Sequence, residues 1–504
     1  MRKENQIRIE ELLLRQRNND RIAIKQGKRS ISYATWHKEA ERIKKRVENM
    51  NTYNYIHSIG IFISNSIEYA LAYFAGLYCK KVIVPISTKA KAEEIKRVLE
   101  YQELEIILTV SCNNGILTEA IDGINRSFEI YNVDTDDFKC ISKGINDVIY
   151  RKDMTHIWQN GTDEDVAVML HTSGSSAEPK RVMLTHKNLI CNIESNIASL
   201  GITDKDTVLI ALPMNFGYCN TAQFLTHLYL GGKIIILENI FTGKSFFEVV
   251  QKEKITMFTA VPTMLKIINE YSYYARYNFN ELRYICFGGA EVSKILLKEL
   301  ILKFPSVGFV QTYGQTECSP RVTALLPQYA YEKIGSVGKP IPGVEIALVD
   351  KNNRREVIPY EVGEIVVKGL NIMKGYFKRE DLTKEVIQKG WLHTGDLGYL
   401  DEDGFLYLTG RLKNVIISGG INIYPEEIEQ VIKSKRYVKE AYVYGLPDDY
   451  LGEVPAVDVV MTEEGSIKAL REYCEKCLSR YKIPRKIKVV TCIQHTYNGK
   501  IKRR

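Results

Sequence analysis

Between about Ile31 and about Val310, short apolar runs rich in β-branched residues alternate with stretches whose apolar positions recur every three or four residues. The runs include Ile59–Ile63, Val82–Pro85, Ile106–Thr109, Thr207–Ile210 and Lys233–Leu237. An apolar run with no polar alternation is what a strand covered on both faces requires, and the helical stretches between such strands supply the cover. The pattern predicts an α/β fold built on mostly parallel sheets.

From about Gly335 to Gly410 the texture changes to short strands such as Gly363–Val367 and Phe405–Leu408, separated by turn residues that include Asp401–Gly404. Closely spaced strands with polar turns predict an antiparallel sheet or a small barrel-like subdomain. Beyond Pro425, a helix opening on Glu426–Glu429, a strand around Val438–Val443 and an amphipathic helix over Ile467–Leu478 predict a compact α+β unit. The expected junction between large and small domains is Arg411–Asn414.

Composition narrows the class. A chain of 504 residues with 45% hydrophobic and 26% charged residues is long enough for several folding units and unlike disordered or fibrous chains. Its 69 basic and 61 acidic residues leave a net charge of +8 with no clustered basic patch, so no nucleic-acid partner is expected. No apolar run approaches the ~18 residues of a membrane span, and Met1–Asn5 lacks the apolar segment of a signal peptide; the expected compartment is the cytoplasm. Ten cysteines, scattered singly except for Cys474 and Cys477, predict neither a disulfide framework nor a four-ligand zinc site.

Several segments carry chemistry. The apolar Val166–Leu170 runs into His171–Lys180, a loop of hydroxyl and small residues ending in a lysine, followed by Arg181–Thr185 and a helix capped by Thr185. Backbone N–H groups, hydroxyls and a lysine are what a triphosphate or a departing pyrophosphate needs. The spacing is not that of a P-loop, whose glycine-rich turn opens directly onto a helix. Tyr313–Glu317 follows the apolar Val307–Val310, placing an aromatic ring, a hydroxyl and a carboxylate at a strand end, where α/β sheets bind ligands. A carboxylate there suits Mg²⁺. Cys286–Glu291 is a second strand leading into a glycine turn, Trp391–Gly398 sets Asp396 near glycines where it can accept from ribose hydroxyls, Gly410–Lys413 places two cations at the junction, and the chain closes on Thr496–Arg504 with Lys500 after a turn glycine.

In this order and spacing the segments resemble the adenylate-forming superfamily: acyl- and aryl-CoA ligases, the adenylation domains of nonribosomal peptide synthetases, and firefly luciferase. The likeness runs from about Ser32–Tyr33 to the last residue and includes Gly335–Gly338, Gly363–Ile365 and Gly420–Glu429; the chain looks most like a standalone acyl-CoA synthetase. The resemblance implies a large N-terminal domain over 1–410, a hinge at 411–413 pivoting on Lys413, and a small mobile domain over 414–504. It implies that Thr172, Ser173, Gly174, Ser175, Ser176 and Lys180 hold the β- and γ-phosphates of ATP, and that Gly289, Ala290 and Tyr313 line the adenine. Thr316 would touch phosphate, Glu317 would bind Mg²⁺, and Asp396 and Arg411 would hold the ribose. Lys500 would be the principal catalytic residue, drawing the substrate carboxylate to the α-phosphate and stabilising the charge that develops as pyrophosphate leaves. Ala177 and Arg181 stand where such proteins usually have glycine, which predicts a stiffer loop with additional charge; Asn414 and Gln494 also depart from the common pattern.

The segment Pro213–Tyr218, with Phe216 and Gly217, corresponds to the acid pocket. From Ala211 to Leu228 it holds no Asp or Glu. An α-ammonium buried without a carboxylate is costly, so the expected substrate is a fatty or aromatic carboxylic acid. The chain runs only four residues past Lys500, so the thiol is expected in trans, as coenzyme A or as the phosphopantetheine arm of a separate carrier protein. A carrier-loading enzyme of secondary-metabolite biosynthesis and a non-catalytic nucleotide- or acyl-binding relative are the alternatives.

Overall fold

In the strand Val82–Pro85, Val82 and Val84 enter one hydrophobic cluster while Ile83 enters another. In Thr207–Ile210 the same alternation sends Val208 and Ile210 one way and Leu209 the other. Successive side chains of a strand face opposite sides, so each of these strands has apolar cover on both faces, as an unbroken apolar run requires. The computed structural model describes residues 7–50, 52–102, 104–141, 161–172, 180–290, 292–350, 358–419, 421–495 and 501.

Among the described residues two large sheets, of eight and of nine strands, carry these strands. In one of eight strands, Val166–Thr172, Val82–Pro85, Ser58–Phe62, Ile106–Thr109 and Phe128–Asn132 run parallel in that order. In the other, of nine, Ile22–Gln26, Lys233–Ile236, Thr207–Ile210, Met257–Ala260, Tyr284–Phe287 and Gly308–Tyr313 run parallel. The largest cluster lies between them, where Trp36, Tyr69, Tyr73, Phe74 and Phe224 pack ring against ring. The expected strand limits agree to within a residue. Ser32, Ser66 and Thr185 cap the helices that follow them; Thr185 Oγ1 accepts from the Asn188 N–H at 3.1 Å, and Asn188 Oδ1 accepts in turn from the Thr185 N–H at 2.9 Å.

A five-stranded antiparallel sheet of Val344–Val349, Gly363–Gly369, Trp391–Leu400, Ile387–Gln388 and Leu406–Arg411 accounts for the change of texture after Gly335. The C-terminal domain has a separate core. Ile428 and Ile432 of the helix Pro425–Lys433 and Leu470 and Cys474 of the helix Ile467–Cys477 pack on Ala441, Val443, Val457 and Val459. Cys474 is buried and Cys477 exposed, and none of the ten cysteines forms a disulfide. Among the described residues no helix is long and apolar enough to cross a membrane.

Burial lowers two imidazoles, His186 and His227, to about 4. His227 Nδ1 lies 2.8 Å from the Gln223 carbonyl and, among the described residues, its buried Nε2 has no partner, so the neutral ring is the form the core accommodates. The unfolded chain takes up these protons near 6.5 and the folded chain only near 4, so folding stability is lost as pH falls from about 6.5 toward about 4. The urea midpoint is therefore expected to be lower at pH 5 than at pH 7, with a smaller drop in His227→Gln; equal drops in both proteins would contradict the assignment.

Candidate active site

The parallel strands Tyr284–Phe287 and Gly308–Tyr313 pair in register, Phe287 with Gln311, and release Gly288–Ala290 and Gly314–Glu317 at the same sheet edge. A β-carbon on Gly288 would lie 2.5 Å from the Thr312 carbonyl oxygen, so only glycine lets the two chains close here. Gly289, with φ +83°, then turns the chain outward and leaves itself and Ala290 exposed.

Asp396 is gripped from two directions. Its Oδ2 accepts from the Tyr313 hydroxyl at 2.9 Å, and its Oδ1 accepts from Arg411 Nε at 2.6 Å. Asp396 and Arg411 are cross-strand partners in the antiparallel sheet, whereas Tyr313 ends a strand of the nine-stranded sheet. Burial, and then the Asp396 carboxylate, push the Tyr313 hydroxyl well above its usual range, which keeps it a donor; Asp396 in turn raises Arg411. The turn is held from behind by Glu364, whose Oε1 accepts from the Gly395 N–H at 3.1 Å and whose Oε2 lies 2.8 Å from His393 Nδ1.

Glu317, also buried, accepts at Oε1 from the Tyr376 hydroxyl at 2.8 Å. Lys180 Nζ stands 4.8 Å from the centroid of that same ring, so one tyrosine is shared by the carboxylate and the ammonium. Burial and then Glu317 push the Tyr376 hydroxyl upward, so it too donates. The hairpin that delivers Lys180 has Thr172 and Lys180 directly opposed, with His171 opposite Arg181.

The segment Phe216–Tyr218 reaches the same region. A β-carbon on Gly217 would sit 3.4 Å from Leu170 Cδ1 and 3.6 Å from Thr316 Cγ2. The Tyr218 hydroxyl is 2.7 Å from Thr312 Oγ1, which donates to the Phe287 carbonyl at 3.1 Å. The helix after Gly217 opens into a π-type turn over Asn220–Leu225, a local widening that is frequent at functional sites.

Of the residues expected from sequence, Tyr313, Asp396 and Arg411 are thus hydrogen-bonded together, Thr316 lies against Gly217, and Glu317 meets Lys180 across Tyr376. Gly289 and Ala290 stand at the neighbouring strand end, and Lys413 is exposed in the turn Leu412–Asn414. Ser173, Gly174, Ser175, Ser176, Ala177 and Lys500 lie outside the described residues. The additional charge expected from Arg181 goes elsewhere. Alternation along the strand turns it to the face opposite Lys180, where it is buried with its guanidinium 4.8 Å from the Tyr101 ring centroid. Tyr376, Glu364 and His393 were not legible as site residues, because only long-range pairing brings Tyr376 to Glu317 and Glu364 to the Asp396 turn.

Residues 14–377 match the family model described as AMP-binding enzyme, and residues 427–500 match that of the AMP-binding enzyme C-terminal domain. The chain belongs to the AMP-binding enzyme family. A curated relative, the 2-succinylbenzoate–CoA ligase of Bacillus cereus strain AH820, is 31% identical over 467 residues, covering 93% of this chain and 91% of that protein. The o-succinylbenzoate coenzyme A synthetase of Bacillus subtilis, solved in complex with its acyl-adenylate intermediate, matches at 30% identity and a TM-score of 0.84, covering 98% of this chain and 96% of that one. The same synthetase in complex with ATP and magnesium ion matches at the same identity and TM-score, over 98% of both chains.

For an AMP-binding enzyme, Asp396→Asn is the direct test of the clamp, since it keeps the shape of the side chain and removes its charge. ATP affinity measured by calorimetry should fall about tenfold, the worth of one charge-assisted hydrogen bond, with an unchanged circular dichroism spectrum. Unaltered affinity would separate Asp396 from the nucleotide.

Proposed function

We propose that the chain is an AMP-forming acid–thiol ligase that converts an aromatic or fatty carboxylic acid to its acyl-adenylate with release of pyrophosphate and then passes the acyl group to coenzyme A. The observation that carries this reading is the convergence of the Tyr313–Asp396–Arg411 clamp and the Glu317–Tyr376–Lys180 group in a member of this family. The names of the relatives, ligases of an aromatic acid with coenzyme A, support the choice of acid and of thiol.

With Tyr313 and Arg411 each using one lone pair of Asp396, the carboxylate retains acceptor capacity for both ribose hydroxyls. Gly289, Ala290 and Tyr313 border the adenine, while Thr172, Ser173, Gly174, Ser175, Ser176 and Lys180 take the β- and γ-phosphates, and Thr316 touches phosphate. Among the described residues no group of three His, Cys, Asp or Glu side chains is placed to hold a metal. A single buried carboxylate, Glu317, fits Mg²⁺, which keeps much of its water and is shared with substrate phosphates. Bound there, Mg²⁺ would neutralise phosphate charge.

A carboxylate is a poor acyl donor because its leaving group is oxide; joining it to AMP supplies a good one. Lys500 brings the two anions together and balances the charge on the departing pyrophosphate, so no covalent enzyme nucleophile is needed. Lys413, exposed at the junction, is the pivot that lets the small domain withdraw Lys500 before the thiol attacks. A carrier-protein phosphopantetheine is the alternative acceptor. Ten cysteines outside any disulfide accord with the cytoplasm as compartment.

Lys500→Ala is expected to lower acid-dependent ATP–pyrophosphate exchange by a factor on the order of 100 or more while ATP binding survives; exchange at the wild-type rate would defeat the assignment. Lys413→Pro should slow thioester formation more than adenylation in single-turnover measurements. Equal slowing of both half-reactions would remove Lys413 from the role of pivot.

A further inference from the structure

Asp396 sits on an irregularity in its strand. The antiparallel strands Gly363–Gly369 and Trp391–Leu400 pair Glu364 with Leu397 and Val366 with His393, so Thr394, Gly395 and Asp396 together stand opposite Ile365 alone. Extra residues in one strand of such a pair lose their ladder partners, bend the strand and re-aim a side chain. The bulge turns at Gly395, whose φ of +68° lies in the left-handed region that glycine enters without strain.

Side chains meet the polar groups that the bulge releases. Thr394 Oγ1 donates to the Ile365 carbonyl at 2.7 Å and accepts from the Asp396 N–H at 3.1 Å, and Gln315 Nε2 donates to the Thr394 carbonyl at 3.4 Å. The Gly395 N–H donates to Glu364 Oε1 at 3.1 Å. Glu364 Oε2 lies 2.8 Å from His393 Nδ1, and because a carboxylate only accepts, that nitrogen carries the proton. One carboxylate thus ties the residue that opens the bulge to the residue at its tip.

These bonds of Glu364 go to the turn, so its influence on the nucleotide runs through Asp396. From the position that the bulge gives it, Asp396 accepts from Tyr313 at 2.9 Å on one side and from Arg411 at 2.6 Å on the other. A binding group with several partners must be held to within about 0.5 Å by the hydrogen bonds behind it.

We propose that Glu364 is a positioning residue for the nucleotide: by bracing Gly395 and His393 it holds Asp396 where the carboxylate can serve Tyr313, Arg411 and a ribose together, and so sets ATP affinity without touching ATP. This deepens the clamp reading above and rests on it.

The test is a double-mutant cycle of Glu364→Ala and Asp396→Asn in the full-length chain, read as ATP dissociation constants by calorimetry. Glu364→Ala, which removes both acceptors, should weaken ATP binding about tenfold on its own and less than about twofold in the Asp396→Asn background. Glu364→Gln, which keeps an acceptor for the Gly395 N–H, should retain affinity to within about threefold. A merely structural Glu364 would cost the same factor in both backgrounds; that result overturns the proposal, as does wild-type affinity in Glu364→Ala. If Glu364→Ala does not fold by circular dichroism, Glu364→Asp, one methylene too short to span Gly395 and His393, is measured in its place against the same criterion. Unaltered affinity in Asp396→Asn sinks the clamp reading and this one together, whereas a weakened Asp396→Asn beside an unaffected Glu364→Ala sinks this one alone.

Discussion

A buried carboxylate is tolerable only when donors and positive charge meet it, and Asp396 obtains these from two separate sheets. Arg411 arrives by cross-strand pairing within the antiparallel sheet, and Tyr313 arrives at the end of a parallel strand in the nine-stranded sheet. The bond between them fixes how the two sheets meet. Glu317, Thr316 and the Gly288 turn are carried on the strands and loops that this contact registers, so the geometry of the cleft depends on it. The protonated state of Tyr313, enforced by burial and by the carboxylate itself, makes the contact self-consistent.

Much of the scaffold was legible because it is local. Val82–Pro85 and Thr207–Ile210 could be read from four consecutive apolar residues each, and the Thr185 cap from a hydroxyl placed before a helix. The opposed faces of Lys180 and Arg181 follow from alternation along a strand, although the additional charge expected in the loop did not take that into account. The motif residues at Tyr313, Asp396 and Arg411 were legible by resemblance. What no local pattern announces is the partner that arrives from elsewhere in the chain: Tyr376 on a two-residue strand, Glu364 behind the Asp396 turn, and the π-type widening of the helix after Gly217. Each is a product of packing between elements distant in sequence.

The two ends of the cleft differ in how their charges are balanced. Asp396 is balanced by Arg411, whereas Glu317 is met by the neutral Tyr376 hydroxyl. From Ala211 to Leu228 the chain holds no Asp or Glu, and the buried Arg321 bonds to a neutral partner, Asn196.

The claim on which the account turns is that Tyr313 and Arg411 act on the nucleotide through one shared carboxylate rather than independently. A double-mutant cycle of Tyr313→Phe and Arg411→Met, read as ATP dissociation constants by calorimetry, measures this coupling. The account predicts a coupling free energy of about 1 kcal/mol or more, with the double variant little worse than the weaker single one. Losses that add to within about 0.3 kcal/mol would contradict it.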